Sequence, residues 1–199
     1  MQAGGTVTAA DNILAYSPVT GWTTYFVYDA GGGVHRWVDS ADNTLADQGK
    51  TCLSACQGVY FHRRGAAIDL PFTGIVREND FACPLPQGCS LVGSGYPVQQ
   101  SFGSRVMTEA NGFTGNGDIR KADQVQFWQG DNDPNHLCYV AHFLLDGGPS
   151  YRYWVSSDDA QVSNENALPL FAPTRAAFYC EQQSVPNWLI SQQWGALTE

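Results

Sequence analysis

A stretch of 36 residues occurs twice in this chain, and that duplication constrains the fold more than any single motif. Residues 26–61 and 143–178 superpose without a gap at an offset of 117. The two stretches share Phe26/Phe143, Asp29/Asp146, Gly31/Gly148, Trp37/Trp154, Val38/Val155, Ser40/Ser157, Asp42/Asp159, Leu53/Leu170, Ala55/Ala172 and Phe61/Phe178. What recurs is core-forming aromatic and aliphatic residues, together with the Asp, Gly and Ser that fix turns. A chain of 199 residues can bury one sizeable core or two small ones. The expectation is an all-β fold: two related antiparallel β units, sandwich or barrel-like, with internal pseudo-symmetry, over residues 1–80 and 81–199.

The local pattern favours strands. Residues 13–16 and 22–28 are dense in aromatic and branched side chains, and Pro18 and Gly21 punctuate them. Gly31, Gly32 and Gly33 supply the positive φ of a tight reversal, so 34–38 closes a hairpin. Further strands are expected at 58–62 and 67–76. The second copy repeats the order at 125–128, 137–145, 151–155 and 175–180. Ala122-Asp123 opens it as Ala10-Asp11 opens the first, at an offset of 112, which places five extra residues in the loop at 130–135. A helical turn within 177–194 is interrupted by Pro186.

The net charge is −9, and Lys50 and Lys121 are the only lysines. Affinity for a phosphate backbone needs clustered cations, so nucleic acid is excluded as a partner and an anionic membrane surface is disfavoured. No apolar run approaches the roughly 20 residues that span a bilayer. No leader is visible, and the chain is expected to be a mature or trimmed form.

Six cysteines, an even number, point to disulfides and an oxidising compartment. Spacing suggests Cys52 with Cys56 and Cys83 with Cys89, leaving Cys138 with Cys180 as a long-range pair. Zinc is the competing explanation, but neither local pair has knuckle spacing or a nearby histidine.

Between the copies, Leu91-Val92-Gly93 leads to Tyr96-Pro97, ahead of Ala122-Asp123 and the Trp128 strand, a Tyr-rich hairpin ending in Trp154-Val155, and an apolar strand from Gly58 ending in Arg63-Arg64. This order resembles a recurrent unit in secreted bacterial β-repeat proteins. The resemblance implies a secreted, β-rich repeat protein and carries no catalytic residues to transfer. The 91–98 strand (Leu91, Val92, Tyr96, Val98) precedes only the second copy, while the first has nine residues upstream. An incomplete first unit invites a strand from another chain, so these residues are the candidate assembly strand and copies of the chain the expected partner.

Chemistry-bearing motifs are sparse. Gly93-Ser94-Gly95 lacks the spacing of a nucleophile elbow. His136 and His142 could share a metal only if both lie on one strand face. Asp131 and Asp133, in a loop of alternating carboxylates and amides, are the calcium candidates. Asp158-Asp159 pairs carboxylates as a glycosidase would, but neighbours on a strand point apart and Asp42 recurs at the Asp159 position, which suggests a turn. Trp188 and Trp194, unmatched between copies, are the candidate exposed aromatics for stacking on a sugar. The expectation is therefore a secreted, extracellular or cell-surface, non-enzymatic structural protein that self-assembles, with a carbohydrate-binding or adhesion module as the alternative.

Overall fold

A computed structural model describes residues 1–53, 56–69, 79–96, 98–129, 138–148, 151–159, 161–173 and 175–191. The described chain is built of antiparallel sheets and is disulfide-bonded; its helical content is two single turns of 3-10 helix, Glu109–Asn111 and Ile119–Lys121. It divides into two compact units, Met1–Ile75 and Val76–Glu199.

In the first unit, β1 (Asn12–Ser17), β2 (Gly21–Asp29), β3 (His35–Asp39) and β4 (Val59–His62) form a sheet in the order β3-β2-β1-β4. The three glycines of the β2–β3 turn have φ of 83°, 61° and 79°, and Asp29 accepts a hydrogen bond from the Gly31 N–H at 2.9 Å. Only residues without a Cβ make three such steps at little cost. On one face Phe26 and Val38 pack with Ala10 into a small core.

The second unit contains β5 (Phe81–Ala82), β6 (Gly88–Val92), β7 (Gln124–Gln129), β8 (Cys138–Asp146), β9 (Arg152–Ser156), β10 (Ala177–Glu181) and β11 (Leu189–Ile190). Its main sheet runs β9-β8-β7-β10-β6, and β5 pairs with β11 separately. The first four strands in that order connect as β3, β2, β1 and β4 do; β6 is the addition. The registers also agree. Asn12 faces Phe26 and Phe26 faces Val38, while Gln124 faces Phe143 and Phe143 faces Val155. The last strand departs from the ungapped superposition: Ile13 faces Phe61, but Val125 faces Tyr179. Phe61 thus stands where Tyr179 does, not Phe178, and the second unit carries one more residue ahead of β10.

Two expected strands differ. Residues 67–69 are not in a strand, and 70–76 lie outside the described residues. The strand expected over 91–98 is shifted to Gly88–Val92, since Gly93 to Gly95 leave the ladder. The strand expected at 175–180 is present as Ala177–Glu181, and Leu189–Ile190 is a further strand.

A buried aspartate ties each unit together. The Asp11 carboxylate accepts from the Gln2 N–H at 2.6 Å and the Arg64 N–H at 2.8 Å. The Asp123 carboxylate accepts from the Thr114 and Gln182 N–H groups, both at 2.6 Å. Asp11 clasps the segment before β1 to Arg64, two residues past β4, and Asp123 clasps the segment before β7 to Gln182, directly after β10. The loops after β3 and β9 match as well. Asp42 accepts from the Thr44 and Ala46 N–H groups and Asp159 from those of Gln161 and Ser163. Leu45 and Val162 take the positive φ there, 53° and 54°. The carboxylates at 42 and 159 therefore cap turns.

Candidate assembly surface

Paired residues in a sheet share a face, and this assigns the two faces of each unit. In the second unit one face carries Val125, Phe127, Val140, His142, Leu144, Trp154 and Tyr179, and every one is buried. The cover comes from the long connection between β6 and β7. Phe102 stacks on Trp154 with ring centroids 4.4 Å apart and planes within 2°, and Phe113 meets the same indole edge-on at 6.2 Å. The Trp154 indole N–H donates to the Met107 carbonyl at 2.8 Å. His142 Nδ1 lies 2.5 Å from the Glu165 carboxylate, beneath Phe102 and Phe127.

The corresponding face of the first unit carries Ile13, Tyr25, Trp37 and Phe61, which are half-buried, beside Ala15 and Val27, which are buried. Ile13, Tyr25 and Trp37 line an open pocket of about 180 Å³, rimmed by Gln48, Gly49, Thr51 and Leu53. Beside it, among the described residues, β4 stands at the sheet edge, at the place that β6 occupies next to β10. An apolar pocket next to a strand edge offers a ladder for backbone pairing and a seat for side chains.

Several expected residues are placed elsewhere. Trp188 is not an exposed platform. Its ring is fully buried against Phe113 and Tyr179, and its indole N–H donates to the Arg105 carbonyl at 2.9 Å. Trp194, Asp131, Asp133 and His136 lie outside the described residues. Among the described residues, no group of three or more His, Cys, Asp or Glu side chains could hold a metal ion, and no helix is long and apolar enough to cross a membrane. Ser94 is buried with its hydroxyl donating to backbone carbonyls.

The expected cysteine pairing is corrected. Cys89 bonds Cys180 across the β6–β10 ladder, where the two residues face each other with Cα atoms 4.0 Å apart. Cys56 and Cys83 are each disulfide-bonded, whereas Cys52 is an exposed free thiol. The Cys138 side chain lies outside the described residues. Leu91, Val92 and Tyr96 are buried and Val98 is half-buried. With β6 stapled to β10, those residues already serve the second unit and are not a free strand.

The sequence reading missed three half-exposed aromatics on the opposite faces: Trp22 at 46%, Trp128 at 39% and Tyr139 at 39%. Tyr16, Trp22 and Tyr60 form one row with centroids 5.1 and 5.8 Å apart, and Trp128, Tyr139 and Phe178 another at 5.0 and 5.6 Å. Strand alternation would have found Trp128 and Tyr139, which lie one residue out of phase with the buried Phe127 and Val140; Trp22 is in phase with buried Phe26 and alternation does not mark it. Comparison of the chain with family models, curated proteins and solved structures finds no match.

Proposed function

We propose that this protein is an extracellular, non-enzymatic structural component built from two related, pseudo-symmetric β units, and that it assembles through the incomplete first one. A strand from a second copy would extend the first sheet at β4 and seat side chains in the pocket under Trp37. The observation that carries this reading is the difference between two sheets of matching strand order, one edged by β6 and covered by Phe102 and Phe113, the other ending at β4 over an open pocket. Disulfide bonding supports an oxidising location outside the cytoplasm.

Light scattering and electron microscopy across a concentration series test it. Mass should grow in multiples of the 21.7 kDa chain, and Ile13→Glu with Trp37→Glu, which puts charge in the pocket, should hold the protein at one chain. A wild type that stays at one chain at every concentration would sink the reading. A second reading, carbohydrate binding, is favoured by the half-exposed Trp22, Trp128 and Tyr139. Retention on insoluble polysaccharide that is lost in Trp22→Ala or Trp128→Ala would support it.

A further inference from the structure

The second unit buries an arginine that has no counter-charge among the described residues. Arg105, in the connection between β6 and β7, is fully buried, and its Nε and both Nη atoms have no hydrogen-bond partner among the described residues. Its guanidinium lies over the rings of Phe171 at 4.5 Å, Trp188 at 4.9 Å and Tyr179 at 5.8 Å. Two more buried polar groups nearby also lack partners. One is the Tyr179 hydroxyl. The other is the side-chain amide of Gln100, whose backbone is paired with that of Phe171.

A guanidinium does not shed its proton under ordinary conditions, so the charge stays with the site. Ring faces return only part of what burial of an unpaired ion costs. The neighbouring acids do not supply the missing charge. Burial pushes the Tyr179 phenol above its ordinary range and, with the adjacent Asp123 carboxylate, pushes Glu181 up to about 10, so both are neutral near pH 7. The Asp123 carboxylate is engaged by the Thr114 and Gln182 N–H groups, and Glu165 by His142.

We propose that Arg105, with the Gln100 amide and the Tyr179 hydroxyl, forms an internal binding site for a small monovalent anion of halide size. Five guanidinium N–H donors, an amide and a phenol O–H are donors that such an ion accepts from, and the three rings exclude water around it. The site belongs to the second unit, so it is independent of how the first assembles.

Bromide is the probe. Crystals of the intact protein grown or soaked in sodium bromide should show an anomalous peak within hydrogen-bonding reach of the Arg105 guanidinium. In solution, raising bromide or chloride from 1 to 100 mM, with gluconate keeping ionic strength fixed, should raise Tm by roughly 5 °C for a dissociation constant of about 1 mM. Arg105→Met should remove that response while Arg105→Lys keeps part of it. If neither variant folds, the two wild-type measurements decide the matter alone. No bromide peak at Arg105 together with equal Tm in halide and gluconate would overturn the proposal and assign the guanidinium to water.

Discussion

Asp11 and Asp123 make the same two backbone hydrogen bonds in the two units, yet the third partner differs in sign. In the first unit Arg63 forms an ion pair with Asp11. In the second the residue at the same register is Glu181, a carboxyl beside a carboxylate. The difference extends outward. The first unit pairs Asp11 with Arg63 and leaves Ile13, Tyr25 and Trp37 half-buried around an open pocket, whereas the second seals its face and buries Glu181, His142 and an Arg105 without a partner among the described residues. One backbone plan therefore tolerates opposite electrostatics, because the backbone donors, not the side-chain partner, hold the central aspartate.

The sharpest way to break this comparison is through the matched tryptophans. Trp154 is sandwiched and fully buried, so Trp154→Ala should cost about 4 kcal/mol in urea unfolding. Trp37 is half-buried over an open pocket, and Trp37→Ala should cost only about 1 kcal/mol in the monomer. Equal losses would mean that both faces are covered alike.

The aspartate clasps should respond to pH in opposite directions. Glu181 ionises near 4.5 in the unfolded chain and about 10 in the folded one, so the folded state holds an extra proton between those values. Stability from this group is complete below pH 4.5 and falls as pH rises toward 10, by at most about 1.4 kcal/mol per unit, or roughly 3 kcal/mol from pH 6 to 8. Glu181→Gln should flatten that slope. Asp11 behaves oppositely. Burial pushes its carboxyl up, but hydrogen bonds from Arg64, Gln2 and Arg63 outweigh that and hold it below 3.8. Its stabilisation is present above pH 3.8 and is lost on further acidification. Chemical denaturation at pH 3, 6 and 8, followed in wild type, Glu181→Gln and Asp11→Asn, separates the two.

How far the sequence revealed this depended on whether a feature was local. Strands and turns were legible because Asp42, Asp159 and the glycines at 31–33 act on neighbours a few residues away. Long-range partners were not legible. Cys89 meets Cys180 because of the β6–β10 register, which proximity in sequence hides. Trp188 looked like an exposed residue near the end, but its indole found a carbonyl 83 positions away. Arg105 sits in an irregular loop, where no periodicity marks a position as buried.

The loops after β3 and β9 should first confirm the likeness and then divide it. Asp42→Ala and Asp159→Ala each remove a side chain that caps two backbone N–H groups, and each should cost about 1 kcal/mol, equally in the two units. The residues they cap around differ more subtly. Leu45 and Val162 share the left-handed conformation, which strains a Cβ and strains a branched one most. Val162 is 45% exposed and has little packing to lose, so Val162→Gly should stabilise by about 0.5 kcal/mol, the relief exceeding the entropy cost of glycine. Leu45 packs against the Phe26 and Val38 core, so Leu45→Gly should instead cost about 1 kcal/mol. Opposite signs at one backbone position would show that the shared loop is fixed by its aspartate, while the residue it strains is chosen by what lies beneath. The same sign at both positions would remove that distinction.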